Sequence, residues 1–98
     1  MKVVFTPLAA RQIDDLYDYI ATHSNEATAD VYVGRIVDHC QQLALFPKRG
    51  AMRDDILEGL RTIGFERRVT IAFMITREAV LIEGIFYGGQ NFEAAFQR

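Results

Sequence analysis

The chain has 98 residues, half of them apolar, 24% charged and 11% aromatic. That length holds a single domain, residues 1–98, with one modest core, because a chain of this size buries only roughly 60–65% of its unfolded surface. The apolar content excludes an intrinsically disordered chain, and a formal net charge of −2 gives no general attraction to nucleic acid or anionic membrane.

The opening Lys2-Val3-Val4-Phe5 is a short β-type run. It stops at Thr6-Pro7, too soon for a secretory signal, and no apolar run approaches the ~18–20 residues of a membrane span. The lone Cys40 cannot staple the chain and fits a reducing compartment, so a cytoplasmic location is expected. Thr6 suits a helix N-cap and Pro7 the first helical position, where a missing N–H costs nothing. Ala9, Ile13, Leu16, Tyr17 and Ile20 then recur on one helical face, with Asp14, Asp15 and Asp18 off the stripe. The spacing predicts a helix over 7–23.

Ser24-Asn25 read as a stop and a fresh N-cap. Ala29, Tyr32, Val33, Ile36, Cys40 and Leu43 make a second stripe, whose end Pro47 marks. Two amphipathic helices with so short a link predict an antiparallel hairpin. Residues 48–59 are polar, contain Gly50 and Gly59, and read as a loop. Three strands follow: a weak one over 60–65, a strong one over 67–75 with alternating Val69, Ile71, Phe73 and Ile75, and a third over 80–87. Thr76-Arg77-Glu78-Ala79 is the hairpin turn between the last two. Gly88-Gly89 ends the third, and residues 91–96 form one or two helical turns. The order is β-α-α-β-β-β, an α+β fold with the helical hairpin on a mostly antiparallel four-stranded sheet.

There is no phosphate-cradling glycine loop and no Cys/His metal spacing, so no cofactor and no metal are expected. Adjacent His39 and Cys40 diverge by about 100° on a helix and read as a surface histidine beside a core cysteine. His23 suits a helix C-terminus. Asp14, Asp15 and Asp18 on one outer helix face read as solvated rather than as a Mg²⁺ site, which takes carboxylates from several elements. Charge is uneven along the chain: residues 1–47 carry three basic and six acidic side chains, residues 48–68 six basic and four acidic. The arginines Arg53, Arg61, Arg67 and Arg68 are the informative group. If the strands around them form a hairpin, Arg61, Arg67 or Arg68, and Tyr87 approach one edge of the sheet. Guanidinium groups there suit phosphate or acidic protein partners, and by charge alone they equally suit the plain role of solubilising a small sheet.

With those residues in view, the chain resembles the RelE/ParE superfamily, the toxin half of type II toxin–antitoxin modules. The likeness covers nearly the whole sequence. It rests on Asp15-Leu16-Tyr17-Asp18-Tyr19-Ile20-Ala21, on Leu43-Ala44-Leu45-Phe46-Pro47 running into Gly50, and on Arg53 with Leu57-Glu58-Gly59-Leu60-Arg61. The Arg67-Arg68-Val69-Thr70-Ile71-Ala72-Phe73 strand and the Val80-to-Gly89 segment complete it. Pro-x-x-Gly followed by Gly-Leu-Arg is the most specific part.

The resemblance implies a plasmid-stabilisation type toxin that inhibits growth and is neutralised by a cognate antitoxin. It also implies a hetero-oligomer with that antitoxin, a tendency of the free chain to dimerise, and no membrane. The tyrosine-rich first helix and long second helix are similar to the ParE side, whose members inhibit DNA gyrase by binding. On that side the target-binding residues are Arg53, Arg61, Arg67, Arg68, Tyr87 and Gln90. The RelE side implies instead a ribosome-dependent, metal-independent mRNA endoribonuclease, for which Arg61, Glu83 and Tyr87 are the catalytic candidates. Family members often carry His at the place of Tyr87 and Arg at that of Gln90, which implies a third reading, an interaction module without toxicity.

Overall fold

The computed structural model describes residues 1–96. β1 (Lys2–Phe5) runs directly into α1 (Pro7–His23), and Thr6 joins them. Its side chain accepts from the Ala9 N–H at 3.2 Å, closing the first helical turn. Its hydroxyl and its N–H both donate to the Ile82 carbonyl, at 3.0 and 3.1 Å, so the same residue fastens the helix start to the sheet. Asn25 caps α2 (Glu26–Gln42) in the same manner, accepting from Thr28 N–H at 2.8 Å. The predicted helix over 7–23 and the fresh cap at Asn25 agree with the structure. α2 stops at Gln42 rather than near Pro47, and residues 43–45 tighten into a turn.

The sheet departs from the expected four strands. It has five, in the order β1-β5-β4-β3-β2, built from β2 (Ala51–Met52), β3 (Arg61–Phe65), β4 (Val69–Ile75) and β5 (Ala79–Tyr87). β2 lies within the stretch read as loop; two residues are too few to show a period. β1 pairs with β5 in parallel, and the other ladders are antiparallel. A one-turn helix, α3 (Phe92–Ala95), ends the fold.

Alternation along β4 and β5 sorts two cores. Ile71, Phe73, Val80, Ile82 and Ile85 face the helical hairpin and meet Leu16, Val33, Ile36, Cys40 and Leu43. Ala72, Met74 and Phe86 face the other way, where Leu60, Ile56, Leu57, Phe92 and Phe96 cover them. Each fully buried Leu, Ile or Phe stabilises the fold by ~1.5–3 kcal/mol, so the helix-side cluster is the main cohesive term.

Two backbone features shape β4 and its neighbours, one at its start and one midway along it. Glu66 and Arg67 both have positive φ, 48° and 65°, and Arg68 N–H donates to the Phe65 carbonyl at 3.3 Å. The strand expected from residue 67 therefore starts at Val69, and Arg67 sits on a tight turn. The second feature is a register shift. Ala72 lies opposite Gly84 and Phe73 opposite Ile82, which leaves Glu83 as the extra residue of a β-bulge.

Candidate target-binding surface

The ladders fix where the arginines stand. Phe65, Val69 and Tyr87 lie side by side across β3, β4 and β5. Arg61 lies opposite Phe73, at the other end of the same ladder. Four residues along and two strands across separate Arg61 from Tyr87 by about 13 Å and about 10 Å. Arg61 reaches toward the Arg49 carbonyl at 3.4 Å, away from the turn. The expectation that Arg61, the paired arginines and Tyr87 share one edge thus holds for Arg68 and Tyr87 only. The Arg68 carbonyl accepts from Gly88 N–H at 2.7 Å, extending the strand pairing past Tyr87. Arg67 and Arg68 are both exposed. Glu83 is also four residues from Tyr87, and the bulge breaks the simple alternation that would put the two on one face.

Tyr87 stands in a row of rings. His23 stacks on Tyr19 at 4.2 Å between centroids; Tyr19 meets Tyr87 at 6.5 Å, Tyr87 meets Tyr32 edge-on at 6.2 Å, and Tyr32 meets Phe65 edge-on at 6.2 Å. His39 closes the row against Phe65 at 5.1 Å. Both helices and the sheet contribute, so the row holds the hairpin onto the end of the sheet that carries Arg67 and Arg68. Offset and edge-to-face pairs add about 0.5–1.5 kcal/mol each beyond area burial. Arg35 extends the basic character over Phe65 at 5.8 Å and pairs with Glu66 in the turn. His39 is half-buried rather than a surface residue, with its Nε2 buried and unpartnered, as is the Tyr32 hydroxyl. Burial, with the Arg49 charge second, holds the His39 pKa below the usual imidazole range. For Tyr32, burial foremost raises the phenol pKa, with Tyr87 and Glu66 adding to the rise. Cys40 is fully buried and its thiol is pushed up to about 12 by burial, as suits a core side chain.

Gln90 plays a part that its polar character did not announce. β1 pairs with β5 only as far as Phe5 opposite Ile82. Beyond that point two glutamine amides take the place of a neighbouring strand. Gln12 Oε1 of α1 accepts from Ile85 N–H at 2.7 Å, and Gln90 Oε1 accepts from Tyr87 N–H at 2.8 Å. Between α1 and this edge lies a cavity of about 310 Å³. Leu16 and Ile85 are its buried lining, and Asp15, Tyr19, Tyr87 and the two glutamines complete it. Sequence reasoning passed over Gln12 and Tyr32. Tyr32 was legible only as a stripe residue, and nothing local marks a glutamine that bonds a strand 73 residues away.

Arg53 belongs to a different place. Its guanidinium bonds both Asp55 oxygens, at 3.0 and 2.9 Å, and Glu93 at 3.4 Å, and lies 5.5 Å from the Phe92 ring centroid. The hydrogen bond to Asp55 is the main cause that raises the Arg53 pKa and, reciprocally, lowers that of Asp55. The residue ties α3 to the loop before β3, on the sheet face opposite the helices. Asp14, Asp15 and Asp18 are exposed on α1, as read from their spacing. His23 Nδ1 lies 2.9 Å from the Tyr19 carbonyl at the end of α1.

Exposed arginines and an aromatic row at one end of a mixed five-stranded sheet, under a helical hairpin, define a small α+β domain with a basic, aromatic surface. The family described as ParE toxin of type II toxin-antitoxin system, parDE, matches residues 3–92. The chain belongs to the ParE toxin family, within the RelE/ParE superfamily. Among solved structures it is similar to a chain of the chromosomal ParDE TA system from P. aeruginosa, with 26% identity and a TM-score of 0.78. That likeness covers 90% of this chain and 96% of the other. No curated protein matches. No helix among the described residues is long and apolar enough to cross a membrane.

Proposed function

We propose that this chain is a toxin that arrests growth by binding DNA gyrase and is held inactive by a cognate antitoxin in a hetero-oligomer. The observation that carries the reading is the placement of exposed Arg68 beside Tyr87 at one end of the sheet, with exposed Arg67 on the adjoining turn. Arginine and tyrosine are favoured anchors of protein interfaces. The spread of the endoribonuclease candidates also supports binding over hydrolysis. Arg61, Glu83 and Tyr87 lie at different points of the ladders, and cleavage of an RNA phosphodiester needs its acid, base and cation around one phosphate.

The antitoxin part of the reading draws on the family and on the ParDE system to which the chain is similar. It has exposed apolar side chains to cover, among them Val31, Leu45, Phe46 and Met52. Arg53 and Gln90, grouped with the target-binding residues from the resemblance, act in this reading by holding α3 and the end of β5 in place.

The test is a supercoiling assay with purified gyrase. The chain inhibits it, stoichiometric antitoxin restores it, and a messenger RNA on the ribosome is not cut. Cleavage of that messenger with supercoiling untouched favours the endoribonuclease. Absence of both effects, with antitoxin still bound, identifies a non-toxic interaction module.

A further inference from the structure

The cavity between α1 and β5 adjoins the proposed gyrase surface, with which it shares Tyr87 and Gln90, but its remaining lining gives it a chemistry of its own. Its lining holds one charged group, Asp15, and no positively charged one. Tyr19, half-exposed at 53%, and Tyr87 supply two ring surfaces beside it. The surrounding helical half is net acidic: Asp14 and Asp18 flank Asp15 on α1, with Arg11 one turn before it as the basic group on that helix, and Asp30 on α2 is bonded by Tyr17 on α1. The glutamine oxygens that line the cavity already accept from Ile85 and Tyr87 N–H groups and keep a second lone pair free. A ligand for this site is therefore cationic, donates hydrogen bonds and has a flat face to lay on a ring.

We infer that this cavity is a receptor for an arginine side chain of a partner protein. A guanidinium meets each requirement at once. Its planar fork pairs bidentately with a carboxylate, its face lies on tyrosine, and its methylene stem tolerates the apolar Leu16 and Ile85. A lysine ammonium satisfies the charge but gains nothing flat from the rings. An acidic side chain is repelled by Asp15 and its neighbours. The charge asymmetry of the hairpin steers basic segments of a partner to this side of the molecule.

The test uses the free chain and needs neither antitoxin nor gyrase, so its failure is distinct from failure of the gyrase reading. Capped arginine (N-acetyl, N-methylamide) is titrated against the ¹⁵N-labelled chain, with capped citrulline as the neutral isostere. Capped arginine shifts the side-chain amide signals of Gln12 and Gln90 and the backbone signals of Ile85 and Tyr87, saturating at roughly 1–10 mM, as expected for one side chain in one pocket. Capped citrulline binds at least about tenfold more weakly, since it loses the charge-assisted pair. Asp15→Asn, at an exposed position, keeps the dispersed spectrum of the fold and weakens capped arginine by a similar factor, whereas Asp14→Asn leaves it unchanged. Equal binding of citrulline, an undiminished response in Asp15→Asn, or no shift at these four residues up to about 100 mM overturns the inference.

Discussion

The Tyr87 backbone N–H donates to the Gln90 side-chain oxygen at 2.8 Å, so a residue three positions downstream finishes the edge of the last strand. That bond fixes how Gly88 and Gly89 leave the sheet and where Tyr87 presents its ring between Tyr19 and Tyr32. Gln90→Ala removes the acceptor from an exposed donor and costs roughly 0.5–1 kcal/mol. Hydrogen exchange at the Tyr87 amide is faster in Gln90→Ala and also in Gln90→Arg, which has no acceptor. It is near wild type in Gln90→Glu. Equal exchange in all four proteins contradicts the role.

Gly50 is the glycine of the Pro-x-x-Gly motif, and its φ is +75°. A Cβ there would run into the Thr62 carbonyl, backbone of the β2–β3 pair. Gly50→Ala thus meets both a disfavoured backbone angle and a rigid neighbour, and a loss of at least ~2 kcal/mol is expected. The urea midpoint reads it. Gly34, with nothing within reach of an added Cβ, is the control whose alanine variant does not destabilise.

Glu83 is the bulge residue, and burial holds its pKa above the usual carboxylate range. The sign follows from that direction. At pH 7 the folded state carries a poorly solvated carboxylate, which opposes folding. As pH falls through the raised folded value the penalty is relieved, and it is absent below the ordinary glutamate range, where both states are protonated. Glu83→Gln therefore raises Tm at pH 7, and its advantage shrinks to nothing in acid. An advantage that stays constant with pH contradicts the burial explanation. Retained gyrase inhibition in this variant also separates Glu83 from the activity.

Arg68 and Arg61 separate the two modes of action. Arg68 sits beside Tyr87 at the exposed end of the sheet, and Arg61 beside Arg49 at the other. In the binding account Arg68→Ala weakens gyrase association by about 1–3 kcal/mol, whereas Arg61→Ala has the smaller effect. Surface plasmon resonance against immobilised gyrase ranks them. The reverse ranking moves the contact surface to the start of β3.

Local chemistry made much of this legible. Thr6-Pro7 and Asn25 announce helix starts because capping needs only neighbours in sequence, and the stripe from Ala29 to Leu43 is a buried face in the structure. Long apolar strands gave β4 and β5. What escaped depends on distant partners. β2 exists because β3 lies beside it, the shift at Glu83 shows only once Ala72 and Gly84 are aligned, and Gln12 acts on a strand at the far end of the chain. The same blindness to register put Arg61 beside Tyr87. Arginine composition marked a basic centre correctly, but only the ladders show that it divides between two ends of the sheet.

The central claim is that the chain acts by binding gyrase. It is tested most directly by inducing the wild-type chain in a bacterial host and following DNA and protein synthesis by pulse labelling. The account predicts that DNA synthesis falls first, with induction of the DNA-damage response, while translation continues. Translation stopping first, with DNA synthesis following later, contradicts it.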